Sequence, residues 1–236
     1  MTESRSEQAV IENLKRIRAN IDRALLASNR SPDSLRLMAV TKTVDPSLVN
    51  VAIHQGVDLL GENRVQEFLS KKEQYDTAHA EVHFIGTLQK NKVKYLMQDV
   101  TMIESVSSIS LAKEIERQAA KNDRMMDILL EVNIGKEESK SGFFAEEIEE
   151  ALAMAQDWPH LQVKGLMCIP PKEDAEKFFC KILQLFVDNQ GKKRDNVNMS
   201  VLSMGMSADY ELAIRYQSNI VRLGTALFGK RSYPMV

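Results

Sequence analysis

The chain has 236 residues, 44% of them hydrophobic and 27% charged, with 31 Lys and Arg against 33 Asp and Glu. This length suits one large domain or two small ones, and a net charge of −2 argues against a nucleic-acid or anionic-membrane partner. Two cysteines, Cys168 and Cys180, stand in no CxxC or metal-ligand spacing, which fits a reducing cytoplasm, and the charged N-terminus and lack of long apolar runs predict a soluble protein without signal peptide or membrane span.

The first predicted element is an amphipathic helix over residues 7–27, where Ile11, Leu14, Ile17, Ile21 and Leu25 recur at helical spacing. Eight short apolar runs follow: LRLMAV (35–40), VDLLGE (57–62), VHFIG (82–86), VTMIESV (100–106), DILLEVNI (127–134), VKGLMCI (163–169), VNMSVLSMG (197–205) and IVRLGTALFG (220–229). Segments of helical character lie between them, at 45–55, 64–75, 107–121, 143–155, 175–187 and 208–216. Strands alternating with helices on short connections predict a parallel sheet covered by helices. Eight such units favour an α/β fold of the closed (β/α)8 type, a TIM barrel, over an open doubly wound sheet. No Pro-, Gly- or Ser-rich linker interrupts the chain, so residues 1–236 are expected to form one domain, with a helical segment over 1–30 and the barrel over 35–233.

Polar residues collect near the C-terminal ends of these strands: Lys42, Glu62 and Asn63, His83, Glu104 and Ser105, Asn133, Ser203, and Arg222 with Gly224 and Thr225. In a barrel that rim is where binding sites are built, because the following loops converge there. The runs LSMGMSADYE and VRLGTALFG place small polar turns after the last two strands, the usual position of a phosphate site. Ser207 is expected to cap the helix that follows the first of these turns.

Lys42 ends a buried strand, and a charged ammonium there is costly unless it is paired, snorkels to water or does chemistry. Three readings stand: a snorkelling lysine, a salt bridge to Glu62 or Glu104, or an amine that forms a Schiff base with an aldehyde. A phosphate site on the same rim makes a phosphorylated aldehyde a natural ligand, and pyridoxal 5′-phosphate (PLP) is one.

The motifs AVTK (39–42), GENRVQE (61–67), HFIGTLQKNKVK (83–94), EVNIGKEESKSG (131–142), GLM (165–167), LSMGMSADYELAI (202–214) and VRLGTALFG (221–229) resemble those of the pyridoxal-phosphate homeostasis proteins of YggS type. The resemblance implies a barrel related to the N-terminal domain of alanine racemase, holding PLP and having no established catalytic activity. It implies that Lys42 carries PLP as an internal aldimine. Ser203, Gly224 and Thr225 would form the phosphate cradle, with Met204 and Gly205 lining it through backbone. Arg222 would face the pyridine nitrogen, with Asn63 and His83 around the ring. Two stretches depart from the family pattern, Gly86-Thr87-Leu88-Gln89-Lys90 and Asn133-Ile134-Gly135-Lys136, both outside the assigned contacts.

An arginine at the ring nitrogen can only donate a hydrogen bond, so it keeps that nitrogen unprotonated and weakens the ring as an electron sink. With no room for a second domain, the expected role is to buffer or deliver PLP. PLP and PLP-dependent apo-enzymes are the expected partners, and a monomer the expected state. The rivals are a racemase or decarboxylase of the same cofactor class and a PLP-free Schiff-base aldolase using Lys42. His54, His79 and His160 have no zinc spacing, Cys168 reads as a core residue, and Lys140 reads as a solvated loop residue.

Overall fold

The computed structural model describes residues 5–171 and 173–230; the outermost residues of the expected 1–30 and 35–233 segments lie outside this range. Eight parallel strands form a closed barrel in chain order: β1 (Arg36–Val40), β2 (Leu59–Glu62), β3 (Glu81–Phe84), β4 (Met102–Val106), β5 (Met126–Val132), β6 (Leu161–Cys168), β7 (Val197–Met206) and β8 (Ile220–Leu223). The ring closes where β1 pairs β8 in parallel, with Met38 opposite Arg222.

Helix α1 (Glu7–Ala27) starts where the Ser6 hydroxyl accepts the Ala9 N–H, and its stripe of Val10, Leu14, Ile17, Ile21 and Leu25 is buried. Ile11, expected on that stripe, is only half-buried. The outer layer continues with α2 (Pro46–His54), α3 (Val65–Lys71), α4 (Ile109–Lys121), α5 (Ile148–Ala153), α6 (Ala175–Gln190), α7 (Tyr210–Arg215) and α8 (Thr225–Phe228). Asp45 caps α2 ahead of Pro46, a residue whose fixed φ suits a first helical turn. Between β3 and β4 there is only a 3-10 stretch, Lys90–Tyr95. The last apolar run divides: β8 ends at Leu223 and α8 begins at Thr225.

Most of the apolar burial lies between the strands and this helical layer. Each large side chain withdrawn there from water contributes about 1.5–3 kcal/mol. The barrel interior holds two smaller apolar clusters, one of Met38, Val40, Leu59, Ile85 and Ile220, the other of Met102, Leu129 and Met167. Between the strands that supply them runs a polar seam formed by His83, Glu104, Ser203 and Arg222, all at most 4% exposed.

Candidate functional site

The C-terminal mouth of the barrel opens into a cavity of about 240 Å³, lined among others by Lys42, Asn63, Arg222, Gly224 and Thr225. These five of the nine residues expected at the site are brought together. Arg5, Met206, Ser207 and Phe228 also line it.

Lys42 stands at the pocket on a turn that is fixed at several points. The next residue, Thr43, is β-branched and has φ +59°, a conformation such residues adopt only when surrounding contacts hold it. The Thr43 N–H donates to Glu67 Oε1 on α3 at 2.5 Å, and its carbonyl accepts from the Arg5 guanidinium. Val44 N–H closes the turn onto Thr41 O. Burial pushes the Glu67 carboxyl up, but the Lys71 ammonium and the Thr43 N–H outweigh it and hold the group below the usual carboxylate range. An ionised Glu67 therefore pins the backbone that carries the half-buried Lys42.

The opposite wall comes from the last two βα units. The Ser207 Oγ accepts the Ala226 N–H at 3.1 Å, joining the loop after β7 to the first turn of α8. Ser207 is not the cap of α7. That position falls to Asp209, whose carboxylate accepts the Met206 N–H at 2.6 Å and closes the turn.

Four of the expected contacts are placed elsewhere. Ser203 is fully buried beneath the pocket, donating to Glu104 Oε2 at 2.6 Å and accepting from Arg222 Nη1 at 2.7 Å. The Met204 side chain is buried in the layer outside the strands, and Met204 is not among the residues that line the cavity. Gly205 serves packing: with φ +92°, it lets β7 approach α7, and an added Cβ would sit 2.5 Å from the Ala213 Cβ. His83 lines a different cavity, of about 820 Å³ at the N-terminal end of the barrel, with Arg36, Glu81 and Asp127. The reason is register: β7 runs to Met206 with an irregularity between Ser203 and Met206, so the mouth falls at Met206–Ser207. Glu104 likewise lies inside β4, which continues to Val106. Asn133 organises its own loop, donating to Glu137 O and Lys140 O and accepting the Glu137 N–H. Lys140 is half-buried against the Ile169 and Pro170 carbonyls rather than solvated.

Arg222 completes the floor. Nη1 donates to Ser203 and Nη2 to the Cys168 carbonyl, each at 2.7 Å. Burial pushes the Cys168 thiol up to about 12, so it remains a neutral core group. Glu62 points away from the mouth, accepting the Thr41 and Tyr75 hydroxyls at 2.6 and 2.8 Å. Asn63 Oδ1 is a buried acceptor with no protein partner at the edge of the cavity. Gly86 packs against the Asn63 backbone, where a Cβ would meet the Asn63 carbonyl at 2.0 Å. Among the described residues lining the cavity, the charged ones are Arg5, Lys42 and Arg222, all cations; no His, Cys, Tyr, Asp or Glu is present.

The barrel and the polar mouth at its C-terminal end define a racemase-like barrel, and the family described as "Alanine racemase, N-terminal domain" matches residues 13–232. Within that class the chain belongs to the pyridoxal phosphate homeostasis protein family. The "Pyridoxal phosphate homeostasis protein" of Aquifex aeolicus is 42% identical over 226 residues, covering 94% of this chain and 98% of the relative. The structure of PipY from Synechococcus elongatus with PLP bound superimposes with a TM-score of 0.76 at 28% identity, covering 89% of this chain and all of that one. Alanine racemase from Corynebacterium glutamicum shares the fold, with a TM-score of 0.70 at 15% identity; the match covers 98% of this chain and 62% of the racemase.

Proposed function

We propose that the chain binds PLP at the C-terminal mouth and serves to hold and hand on this reactive aldehyde in the cytoplasm, acting as a monomer. The observation that carries this reading is the convergence, in one cavity, of a lysine on a pinned turn with Arg222 and with the Ser207, Gly224 and Thr225 wall. The donor set fits the group. Small polar turns suit a phosphate, Arg222 offers donors to a ring acceptor, and the orphaned Asn63 Oδ1 offers an acceptor. Lys42 is the covalent anchor, Ser207, Gly224 and Thr225 hold the phosphate, and Arg222 and Asn63 lie beside the ring. When bound, PLP supplies an aldehyde and an electron-withdrawing ring.

The same lining supports a carrier over an enzyme. Racemisation needs a proton-carrying group on each face of the substrate carbon. Among the described residues of the cavity, Lys42 is the one side chain that exchanges a proton readily, since guanidinium groups stay protonated. A mouth at the barrel rim suits exchange of PLP with apo-enzymes that receive it.

The test is an absorbance spectrum of the protein loaded with PLP, before and after borohydride, with mass spectrometry to locate the reduced adduct. The expected result is a yellow protein with the adduct on Lys42, loss of colour in Lys42→Ala, and no turnover of amino acids. A colourless protein after loading, or an adduct on another lysine, overturns the reading.

A further inference from the structure

Arg222 is 4% exposed, and among the described residues its guanidinium touches no carboxylate directly. A buried cation without a counter-charge is strongly disfavoured, so its compensation has to arrive through an intermediary. The structure supplies one. Arginine can only donate, so the Ser203 oxygen accepts from Nη1, and its single hydroxyl proton is then available for Glu104 Oε2 at 2.6 Å. The chain of donors has one direction.

Glu104 is fully buried, and its second oxygen accepts from His83 Nδ1 at 2.7 Å. His83 Nε2 lies 3.6 Å from Glu81 in the N-terminal cavity, where Arg36 and Asp127 also face it. Glu131, a half-buried carboxylate, acts on Arg222 through space without a hydrogen bond to it. A carboxylate in the middle of the barrel, gripped from both sides, is costly to bury and serves no apolar packing.

We propose that Glu104 is a positioning residue for the cofactor pocket: through the Ser203 hydroxyl it supplies the counter-charge of Arg222 and fixes the guanidinium in one orientation at the pocket floor. The remaining donors of Arg222 are thereby presented to a ring acceptor rather than free to turn toward the phosphate end. This rests on the reading of the mouth as a PLP site, and it assigns Ser203 to the link beneath the pocket rather than to the phosphate.

Two variants test it. Glu104→Gln keeps both hydrogen bonds, its carbonyl accepting from Ser203 and its amide donating to a neutral His83, but removes the charge. Ser203→Ala removes the link and keeps the charge. Binding of PLP and of pyridoxal, which lacks the phosphate, is measured for each, together with the pH dependence of the bound PLP absorbance and a thermal melt. In both variants PLP and pyridoxal should weaken by the same factor, about tenfold, and the absorbance pH profile should shift, because the ring end is affected. Thr225→Ala, at the phosphate end, should weaken PLP alone. Wild-type affinities and profile in a folded Glu104→Gln protein overturn the proposal, as does a loss confined to PLP. If Ser203→Ala does not fold, Glu104→Gln decides alone. Failure of wild-type protein to give a borohydride adduct on Lys42 refutes the cofactor reading instead, before either variant is measured.

Discussion

The Ser207 hydroxyl accepts the Ala226 N–H at 3.1 Å, so the loop after β7 and the start of α8 form one wall of the mouth. Removing that oxygen leaves a backbone donor without its partner where the phosphate is proposed to sit. Ser207→Ala should lower stability by about 1 kcal/mol and weaken PLP about tenfold while leaving pyridoxal binding unchanged. Isothermal titration with both ligands checks this.

Gly205 occupies a left-handed conformation against α7, with no room for a methyl group. Gly205→Ala combines a disfavoured φ with overpacking and should cost about 2–4 kcal/mol, read by urea denaturation of the cofactor-free protein. A change under about 0.5 kcal/mol would place the glycine outside the packing role assigned here.

The His83–Glu104 pair sets a pH window. Burial pushes His83 down, but hydrogen bonds to Glu104 and Glu81 outweigh it and hold the imidazole above its ordinary 6.5. Burial pushes Glu104 up, but the hydrogen bond and charge of His83, the Arg222 charge and the Ser203 hydroxyl hold it below its ordinary 4.5. A raised histidine gives stability that is complete below 6.5 and lost as pH rises through its folded value. A depressed carboxylate gives stability present above 4.5 and lost as pH falls through its folded value. Stability from this pair should therefore be greatest between those two values and decline on the alkaline side. His83→Gln should flatten the alkaline decline in melts taken from about pH 4 to pH 9.

Glu62 has the opposite sign. Burial raises it, and the Thr41 and Tyr75 hydroxyls offset this only in part. The folded state holds that proton more tightly than the unfolded one, so stability is lost as pH rises from 4.5 through the folded value. Glu62→Gln keeps an oxygen for both hydroxyls and removes the charge. The variant should melt higher than wild type near pH 8 and equally near pH 4; a lower melting temperature near pH 8 would count against a destabilising buried charge.

The alternation of apolar runs and helical segments was enough to read eight strands and their order, because most units bury an apolar strand against the helix that follows it. Residues 7–27 form α1 as the spacing of Leu14, Ile17 and Ile21 requires. Lys42, Asn63, Arg222, Gly224 and Thr225 were legible as a group because strand ends are where a barrel places its chemistry. Ser203 and Ser207 were not separable. They stand four residues apart in LSMGMS, and only the irregularity of β7 decides which one reaches the mouth. The depth of His83 and Glu104 was not legible for a related reason, since a polar residue in an apolar strand looks the same at the rim and inside the barrel. Arg5 left no local signal, because its place depends on how α1 lies across the closed ring. Glu67 sat inside a recognisable motif, but its bond to the Thr43 backbone follows only from the fold.

The closure of β8 onto β1 has a consequence for the order of events during synthesis. Lys42 leaves the ribosome early, whereas Ser207, Arg222 and Thr225 emerge near the end of the chain, so the two halves of the pocket are separated by most of the sequence. Long-range pairing of this kind forms late, after the entropy of closing the intervening loop has been met. A nascent or truncated chain lacking the last two βα units has the amine without the rest of the mouth. The cavity is thus assembled only once the chain through Thr225 has folded onto β1.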